Sequence, residues 1–564
     1  MGCCQATNLL SEELQIKEAV KEKASGAIFS LNNHAGQLNQ ARKDMQDKIS
    51  AIDANQMQNF VNENLKDPAL AMGNAVGKVV RENIQETLDA IKDLRLKQRV
   101  SDIIAPIFRK FFIHSIHGII EDSYSINEIL GQGSFSTVRR AVHLDTGLER
   151  AVKIVTKNSI TDTQKIGIEG EAEILKSLDH ANIIKMIEVI EDTTKLNIIT
   201  ELCKGGELFE RIMNCKTFSE NTAAEYMYQI LSGLIHIHEN GIAHRDLKPE
   251  NILFVEKDSA YIKIIDFGIA QKIEGDRVVS KCKGTAYYVA PEVIAGEFDL
   301  KCDVWSCGVI LYIMLCGHPP FNGRSESEIF AKISRGVFNF SGKEWAGISK
   351  DAKNLVQKML TKDYNKRPSA QEAWQDSWIQ SQARSNSENN HISKSALEAL
   401  ANFKTTYKLQ QATLSYIACN LTTNSEIEEL KNAFIILDTN GDGHLSINEI
   451  RMGFANISLS NSVNVNQILS RCDIDMNGMV DYSEFITATI DWGKYLTNDM
   501  LETAFKAYDT DRSGSISIIE VREFLGGQYP ELEKEWVRIL KEIDSNGDGE
   551  IDLQEFKQLM MKLL

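Results

Sequence analysis

The chain has 564 residues, of which 43% are hydrophobic and 25% are charged, and its formal net charge at pH 7 is −17. This length is more than one hydrophobic core can organise, so several domains are expected, and the apolar content excludes a wholly disordered chain. Residues 421–564 hold 26 Asp and Glu against 12 Lys and Arg. The acidic charge therefore lies mainly in that part of the chain, and nucleic acid is not an expected partner.

The 10 cysteines are spread through the chain and form no short-spaced framework beyond the neighbours Cys3 and Cys4. This usage is typical of free thiols in a reducing compartment, so we expect a cytoplasmic protein. The longest apolar stretch, residues 308–316, is about half the length needed to cross a bilayer. We interpret it as a buried helix.

The first residues, Met1-Gly2-Cys3-Cys4, resemble a signal for N-terminal acylation. Myristoylation would fall on Gly2 and palmitoylation on Cys3 and Cys4, although Ala6 stands where this signal usually has serine or threonine. Because one acyl chain binds a bilayer marginally and two bind it stably, double acylation would place the protein at a membrane surface. An unmodified cytoplasmic amino terminus is the alternative.

Residues 1–120 are predicted to form a helical N-terminal extension. They are rich in helix formers, and apolar residues recur at helical spacing, as at Val80, Ile84, Leu88 and Ile91. We interpret them as amphipathic helices that pack together or on the next domain. Self-association through a coiled coil is the alternative, although no strict heptad persists over several repeats.

Strand-like alternation begins near residue 124 and contains a glycine-rich turn, whose small residues let backbone amides close over ATP phosphates. The stretch comprises Leu130, Gly131, Gln132, Gly133, Ser134, Phe135, Ser136, Thr137 and Val138. Ser136 stands where a third glycine is common. Downstream, Lys153 lies in a strand-like run and is predicted to contact the α and β phosphates. Its expected partner is Glu171 on the next helix, with Glu173 as the competing choice.

The strongest catalytic pattern is His244-Arg245-Asp246-Leu247-Lys248-Pro249-Glu250-Asn251, followed by Asp-Phe-Gly at 266–268 and Ala-Pro-Glu at 290–292. In this pattern Asp246 can accept the proton of a substrate hydroxyl, and Lys248 can neutralise charge on the transferring phosphoryl group. Asn251 and Asp266 are the predicted ligands of Mg²⁺. These motifs in this order predict phosphoryl transfer.

On these motifs residues 124–378 resemble a serine/threonine protein kinase, and Lys248 matches that class rather than the tyrosine class. The resemblance implies a bilobal α+β fold that binds ATP and Mg²⁺. It also implies that Glu201 and Cys203 form the hinge beside the adenine, behind a gatekeeper at Thr200.

The same resemblance implies an ion pair between Arg367 and Glu292 in the helical lobe. Glu207 and Glu250 occupy positions that contact arginine or lysine of the substrate in basophilic kinases, so protein substrates with basic residues near the Ser or Thr are expected. Surface salt bridging of these two acids is the alternative.

The activation loop departs from the usual pattern. Kinases with arginine before the catalytic aspartate often need an acidic or phosphorylated residue to neutralise that arginine. At that place this chain has Lys281, next to Ser280. Either the loop is ordered without this pairing, or phosphorylation of Ser280 supplies it.

Four twelve-residue stretches, 438–449, 473–484, 509–520 and 544–555, have the pattern of EF-hand calcium loops. Each offers oxygen at positions 1, 3, 5, 7, 9 and 12 and glycine at position 6. The ligands, with position 7 acting through its carbonyl, are Asp438, Asn440, Asp442, His444, Ser446 and Glu449 in loop 1, Asp473, Asp475, Asn477, Met479, Asp481 and Glu484 in loop 2, Asp509, Asp511, Ser513, Ser515, Ser517 and Glu520 in loop 3, and Asp544, Asn546, Asp548, Glu550, Asp552 and Glu555 in loop 4.

These loops predict that up to four Ca²⁺ ions bind. Loop 3 has serine at two side-chain ligand positions, and it should be among the weaker sites because it carries fewer carboxylates. Position 8 is apolar in every loop, which predicts a short strand joining the loops in pairs. The loops recur at a period that a helical solenoid could also show, but their ligand chemistry favours EF-hands.

Residues 124–564 as a whole resemble the calcium-dependent protein kinase family. The resemblance implies a linker at 379–394, an autoinhibitory junction at 395–418, and an all-α calmodulin-like domain of four EF-hands at 425–564. In that family the junction blocks the substrate cleft until the sensor captures it. Its cations here are Lys394, Lys404 and Lys408, so apolar plugging is favoured over mimicry of a basic substrate. A plain connector helix is the alternative.

The sequence therefore predicts a calcium-activated, non-specific serine/threonine protein kinase. Its expected cofactors are ATP, Mg²⁺ and Ca²⁺, and its expected partners are protein substrates, an intramolecular sensor–junction contact and, if acylated, a membrane surface. The alternative is a calcium-gated scaffold whose kinase fold transfers little phosphate. Ser136 and Lys281 are the only residues that favour this alternative, and intact Lys153, Asp246 and Asp266 oppose it.

Overall fold

The structure is a computed structural model. It describes residues 113, 115–133, 136–157, 162–273, 275, 277–279, 284–385, 393–423, 427–457, 464–525 and 532–563. For residues 162–166, 384, 385, 532 and 533 it describes the backbone alone. The predictions for the N-terminal extension up to residue 112, for acylation, and for Ser134, Phe135, Ser280 and Lys281 lie outside these residues.

A six-stranded sheet with one helix forms the first lobe of the kinase domain. The elements are β1 Ser115–His117, β2 Tyr124–Gln132, β3 Ser136–His143, β4 Glu149–Thr156, α1 Asp162–Ser177, β5 Met186–Glu191 and β6 Lys195–Glu201. The strand order is β1-β5-β6-β4-β3-β2, with β1 parallel to β5 and the other pairs antiparallel. Val152 and Ile199 are fully buried on one face, which fits β-branched residues on a half-buried sheet.

The predicted helical extension is wrong at its end, because residues 115–117 form strand β1. Ser115, Ile116 and His117 pair with Val189, Ile190 and Glu191 of β5. Without β1, this edge of β5 would leave backbone N–H and C=O groups unpaired. These tertiary hydrogen bonds outweigh the weak local preference for helix.

The second lobe is mainly helical. Its helices are α2 Leu208–Cys215, α3 Glu220–Glu239, α4 Pro291–Ala295, α5 Cys302–Cys316, α6 Glu326–Arg335, α7 Lys350–Met359, α8 Ala370–Trp374 and α9 Ser377–Ser385. Its short strands are β7 Ile242–Ala243, β8 Ile252–Phe254, β9 Ile262–Ile264, β10 Gln271–Lys272, β11 Val278–Val279 and β12 Glu297–Phe298. Every residue of α5 is buried, which confirms the buried helix predicted for 308–316. Among the described residues, no helix has the length and apolarity to span a bilayer.

The kinase domain continues past the predicted boundary at residue 378. Helix α9 runs to Ser385, and Trp378 and Ile379 are buried in the core of the second lobe. The linker expected from residue 379 therefore begins only after this helix. The polar stretch 381–390 suggested a linker, but the buried side of a surface helix needs only a few apolar residues.

The junction forms two helices rather than one segment, α10 Lys394–Asn402 and α11 Lys408–Asn420. At the break, the Gln410 side chain accepts hydrogen bonds from the backbone N–H groups of Thr406 and Tyr407. These bonds satisfy donors that have no partner inside a helix, and they mark the start of α11.

The sensor domain contains the four loops in two pairs. Its elements are α12 Glu428–Leu437, β13 His444–Leu445, α13 Ile447–Asn456, α14 Val465–Cys472, β14 Val480–Asp481, α15 Tyr482–Thr489, α16 Trp492–Tyr495, α17 Asn498–Tyr508, β15 Ser515–Ile516, α18 Ile518–Phe524, α19 Leu532–Ile543, β16 Ile551–Asp552 and α20 Leu553–Met561. Leu445 pairs with Val480, and Ile516 pairs with Ile551. The prediction that position 8 joins the loops in pairs is confirmed.

Candidate active site and calcium loops

Lys153 on β4 lies between two carboxylates at the centre of the kinase cleft. Its Nζ is 2.6 Å from Glu171 Oε1 on α1 and 3.0 Å from Asp266 Oδ1. Glu171 is buried, whereas Glu173 is exposed and pairs with Lys176. The structure therefore brings Lys153, Glu171 and Asp266 together and leaves the competing Glu173 outside the site.

Opposite charges in this cluster stabilise the ionised forms of Lys153 and Asp266. Burial alone would lower the pKa of Lys153, but the carboxylates of Glu171 and Asp266 outweigh it and hold that pKa above its ordinary value. Burial likewise opposes the charge of Asp266, yet the neighbouring ammonium keeps the pKa of Asp266 below its ordinary value. Both groups are therefore charged at neutral pH, as binding of phosphate and Mg²⁺ requires.

The catalytic loop is assembled around Asp246. Lys248 Nζ lies 2.7 Å from Asp246 Oδ2, and Asn251 donates its amide N–H to the Asp246 carbonyl at 2.8 Å. Because the N–H groups of Asn251 are used in this way, its amide oxygen is the atom left to ligate Mg²⁺. Asp246 and Asn251 therefore have the geometry expected of a base and an ion ligand.

Thr285 is a site residue that the sequence reasoning did not select. Its hydroxyl donates to Asp246 Oδ1 at 2.9 Å and accepts from Lys248 Nζ at 3.1 Å. Its backbone N–H also donates to Asp246 Oδ1, at 3.2 Å. The available signal was Gly284-Thr285 shortly before the Ala-Pro-Glu motif, since a hydroxyl there can hydrogen-bond to both the base and the lysine.

Asp303 of α5 fixes the backbone of the catalytic loop from below. It is fully buried and accepts hydrogen bonds from the backbone N–H groups of His244 and Arg245, both at 2.8 Å. Arg245 has φ +70° and Asp266 has φ +63°. Such left-handed backbone costs energy for residues other than glycine and persists where the surroundings impose it, as in active sites.

The guanidinium of Arg245 has partners among the described residues. It donates to Gln271 Oε1 at 2.6 Å and lies 4.4 Å from the ring centroid of Phe298. The ring face offers a cation–π contact to the charge. Ser280 and Lys281 lie outside the described residues, so the two alternatives for the activation loop stay open.

The ion pair expected in the helical lobe is present. Arg367 NH1 and NH2 lie 2.5 Å and 3.0 Å from the two carboxylate oxygens of Glu292. Both side chains are buried, and removal of one partner from such a pair leaves a buried charge without compensation.

The described part of the glycine-rich stretch forms the turn between strands β2 and β3, as predicted. Gly131 pairs with Val138 and Gln132 with Thr137, while Gly133 N–H donates to the Ser136 carbonyl at 2.8 Å. Leu130 is exposed at the mouth of this hairpin. Ser136 therefore closes the turn through its backbone, which any residue can supply.

The hinge follows directly from β6. The Glu201 side chain is buried and pairs with Lys263 at 2.8 Å. Thr200 donates its hydroxyl to the Glu201 carbonyl at 3.2 Å, and burial raises the pKa of the Cys203 thiol to about 12. Cys203 is thus a neutral thiol at the hinge rather than a nucleophile.

Glu207 and Glu250 lie close enough to influence each other. Burial, then Glu210 and Glu250, raise the pKa of Glu207 above its ordinary value. Glu250 Oε2 is buried and has no hydrogen-bond partner among the described residues. An unsatisfied buried carboxylate oxygen is costly, and an incoming cationic side chain would satisfy it.

The four calcium loops share one internal hydrogen-bond pattern. The position 12 glutamate accepts from the backbone N–H of positions 2 and 9 in each loop, and the position 1 aspartate accepts from the glycine at position 6. These glycines have φ of +84° or +89°, a conformation that glycine adopts freely. The ligand residues therefore face the inside of each loop.

The donor set fits Ca²⁺. Carboxylate oxygens of Asp473, Asp475 and Glu484 all lie within 4.8 Å of one another, as do those of Asp509, Asp511 and Glu520 in loop 3. Asp473 Oδ1 is buried and has no hydrogen-bond partner among the described residues. Burial, then Asp481, raises the pKa of Asp475 to about 7, because anions gathered in one place repel one another. A divalent cation held by these oxygens would remove that repulsion.

The first calcium loop contacts the kinase domain. Gln371 Nε2 donates to the Asn440 carbonyl at 2.7 Å, Ser232 Oγ donates to the Gly441 carbonyl at 3.3 Å, and His236 Nδ1 lies 3.3 Å from the Asp442 carbonyl. The rings of His180, His236 and His444 lie side by side at this interface. Ser232, His236 and Gln371 belong to the second lobe, whereas His180 follows α1 of the first lobe. All four are separate from the catalytic cluster around Asp246.

Comparison with known proteins gives the same two parts. Residues 124–379 match the protein kinase domain, and residues 427–490 and 498–561 each match the EF-hand domain pair. The chain is 40% identical over 470 residues to calcium-dependent protein kinase 4 of Plasmodium berghei (strain Anka), covering 80% of this chain and 89% of that relative. It is 41% identical over 472 residues to calcium-dependent protein kinase 4 of Plasmodium falciparum (isolate 3D7), with 80% and 89% covered.

A further relative, calcium-dependent protein kinase 3 of Plasmodium berghei (strain Anka), is 38% identical over 461 residues, covering 80% of this chain and 82% of the relative. Each of these three matches covers 80% of this chain. Given the assembled catalytic residues, the paired calcium loops and these relatives, the chain belongs to the calcium-dependent protein kinases and is a calcium-dependent serine/threonine protein kinase.

Proposed function

We propose that this kinase prefers substrates with basic residues, is autoinhibited through its junction at low calcium, and is released when the sensor domain encloses helix α11. The observation that carries this proposal is the burial of α11. Every residue from Leu409 to Asn420 except Tyr416 is buried, although this stretch includes five polar side chains. A helix buried on all faces is surrounded by other elements, so α11 is unavailable to the substrate cleft.

Both halves of the sensor hold α11. Gln411 Nε2 donates to the carbonyl of Arg471 on α14 at 3.0 Å, and Gln410 Nε2 donates to the carbonyl of Leu559 on α20 at 2.8 Å. The Thr413 hydroxyl lies 3.2 Å from Tyr508 OH on α17. A helix bound between the two EF-hand pairs is the arrangement of a calcium sensor with its target helix. The arrangement therefore supports release by capture rather than a plain connector.

The transfer step follows from the geometry of the cleft. Asp246 accepts the proton of the substrate hydroxyl and orients its oxygen, while Thr285 holds Asp246 and Lys248 in place. Lys153 is positioned by Glu171 to contact the nucleotide phosphates, and Lys248 neutralises charge on the transferred group. Mg²⁺, when bound at Asn251 and Asp266, neutralises phosphate charge.

The preference for basic substrates rests on Glu207 and Glu250. The buried, unpartnered Oε2 of Glu250 is a ready acceptor for a guanidinium or ammonium group. Burial, then the neighbouring acids Glu210 and Glu250, raises the pKa of Glu207, and a nearby cation would favour its charged form. Glu250→Gln should therefore raise the KM for an arginine-containing peptide about tenfold while changing kcat little. An unchanged KM for that peptide would contradict the assignment.

The central experiment measures peptide phosphorylation in calcium and in chelator. Full-length protein should be active only in calcium, and Asp246→Ala should abolish transfer in both conditions while calcium binding is retained. A chain ending after Ser385, which keeps α9 intact, should be active in both conditions because the junction is absent. Thermal unfolding of the shortened chain serves as the folding control. A folded shortened chain that is inactive would contradict inhibition by the junction.

We further propose that all four loops bind Ca²⁺, with loop 3 among the weaker, and that acylation at Gly2 with Cys3 or Cys4 would attach the protein to a membrane. Calorimetric titration would count the calcium sites. Mass spectrometry of the amino terminus would detect the acyl groups. Fewer than four bound ions, or an unmodified Gly2, would overturn the corresponding part.

A further inference from the structure

The segment that precedes the matched kinase domain is built into its first lobe. Strand β1 extends the sheet beside β5, and Gly118 N–H donates to the Glu191 carbonyl at 3.0 Å. Ile113 is only 5% exposed and belongs to the same hydrophobic core as Ala172 and Leu175 of α1. The segment thus contacts the sheet through its backbone and the core through one side chain.

A direct bond also links the segment to α1. Lys176 Nζ, near the end of that helix, donates to Ser115 Oγ at 3.2 Å. Lys176 and Ala172 lie within two turns of Glu171, the residue that pairs with Lys153. Any shift or rotation of α1 would therefore change the contacts of β1 and the Lys153–Glu171 pair together.

Helix α1 has few other apolar anchors. Ala172 and Leu175 are its buried apolar residues among those whose side chains are described, with Ile168 and Ile174 partly buried. Glu171 is itself a buried carboxylate, and burial raises its pKa above the ordinary value. The helix must therefore keep a costly buried carboxylate in position beside Lys153. Extra anchoring at the end of α1 would help to keep Glu171 within reach of that lysine.

We propose that β1 and Ile113 form a positioning element that holds α1 where Glu171 pairs with Lys153. Ile113 does not touch the nucleotide or the transferred group, so it is a positioning residue rather than a catalytic one. The element acts through the first lobe, at the edge of β5 and the end of α1. It gives the residues directly before the kinase domain a role in the phosphoryl-transfer step itself.

The test uses full-length protein in saturating calcium. Ile113→Ala removes most of an apolar side chain from the core that also contains Ala172 and Leu175, and it should lower kcat/KM for ATP about tenfold. Ile113→Val should lower it about twofold at most. Gly118→Pro removes the N–H that bonds Glu191 and should lower kcat/KM several-fold. Gly118→Ala is the matched control, because it keeps this N–H and an added Cβ would meet only Ile116 Cγ2, at 3.9 Å.

A double-mutant cycle separates positioning from general stability. If β1 acts through the Lys153–Glu171 pair, Ile113→Ala should cost less than about twofold in kcat/KM for ATP in a Glu171→Gln background. The same tenfold loss in both backgrounds would overturn the proposal, as would full activity of Ile113→Ala and Gly118→Pro. Should Ile113→Ala fail to unfold cooperatively, Gly118→Pro takes its place in the cycle, and the same two outcomes decide.

Discussion

The first and fourth calcium loops have matching backbones but different surroundings. Gly443 and Gly549, at position 6, both have φ +84°. A Cβ on Gly443 would lie 2.3 Å from His180 Cδ2 of the kinase domain, whereas a Cβ on Gly549 would meet nothing within 4 Å. Position 4 shows the same contrast, since Gly441 lies against Trp374 and Gly547 lies against nothing within that distance.

This difference separates calcium binding from docking on the kinase domain, which the sequence motif of a calcium loop does not distinguish. Loop 1 offers the carbonyls of Asn440, Gly441 and Asp442 to the kinase domain, so order in this loop and docking on the kinase share the same residues. Such sharing makes the coupling reciprocal: docking should strengthen calcium binding by the factor by which calcium strengthens docking. The second pair holds α11 and meets the kinase domain elsewhere, through an exposed ion pair between Lys506 and Asp145 at 3.2 Å. Exposed ion pairs stabilise little.

The largest expected effect comes from removing the position 12 carboxylates of one pair at a time. Glu449→Gln with Glu484→Gln should raise the calcium concentration for half-maximal activity about a hundredfold or abolish activation, because this pair supplies both docking and capture. Glu520→Gln with Glu555→Gln should raise it about tenfold, since the first pair still docks. Peptide phosphorylation over a calcium titration measures both. Equal effects of the two double variants would remove the distinction between the pairs.

A sharper and smaller effect is expected from alanine at the two matched glycines. Gly443→Ala and Gly549→Ala impose the same backbone strain, of about 1–2 kcal/mol. Only Gly443→Ala also places a methyl group against His180, so its half-maximal calcium concentration should exceed that of Gly549→Ala by about tenfold. Because both variants carry the same backbone strain within the loop, the difference between them reports the contact with His180. Indistinguishable activation curves would mean that docking of loop 1 does not contribute to activation.

The next largest effect should be a pH dependence of docking between the sensor and kinase domains, which arises from Lys431. Lys431 of α12 is 5% exposed at the kinase interface, and its Nζ has no hydrogen-bond partner among the described residues. Burial, then Lys263, lowers the pKa of Lys431 to about 7. The groups that face it are Tyr261, Lys263, Glu201, Cys203 and Glu428.

The direction of this pH dependence follows from the protonation of Lys431 in the docked and undocked states. Undocked Lys431 keeps its proton up to about pH 10.4, whereas docked Lys431 loses it above about pH 7. Docking should therefore strengthen as pH rises from about 7 and be insensitive below it. Between pH 7 and 8 the half-maximal calcium concentration should fall about fivefold more in the parent than in Lys431→Met. Lys562→Met, which removes an exposed lysine paired with Glu542, is the control. Parallel pH profiles of parent and Lys431→Met would exclude this linkage.

The smallest effect is expected in loop 3. Ser513→Asp adds a carboxylate at position 5 and should tighten that site several-fold. The shift in activation should be about twofold or less, because the other three loops keep their ligands. Calorimetry would resolve the tightened site. Thr510→Asp adds the same charge at position 2, which supplies no side-chain ligand, and should leave the affinity nearly unchanged. Equal tightening by both variants would indicate a general charge effect.

Much of the site could be read from the chain because its chemistry depends on short local patterns. The calcium loops place their ligands by one turn geometry, and the residues around Asp246 form one continuous loop. Thr285 escaped selection because its role depends on a contact with Asp246 across 39 residues of sequence. Glu171 and Glu173 were separable only weakly, because helical phase against Lys153 is set by how α1 packs.

Errors in the predicted elements have a similar origin. Residues 115–117 became a strand because β5 offered an unpaired edge, and residues 379–385 continued a helix because Ile379 fits the core of the second lobe. Apolar plugging was predicted for the junction, but in α11 every residue from Leu409 to Asn420 except Tyr416 is buried, polar residues included. Its polar residues find partners on two sides of the sensor, which no periodicity in the segment itself records.

The sequence alone determined the chemistry: a phosphoryl-transfer loop, a nucleotide-binding turn and four oxygen-lined turns for calcium, each specified within about a dozen neighbouring residues. The tertiary structure decided which of the four similar loops contact the kinase domain, which side chain orients Asp246, and what anchors α1. These outcomes depend on surfaces brought together from distant parts of the chain. Side-chain type and spacing fix local geometry, whereas burial and complementarity between separate elements are settled only when the chain packs.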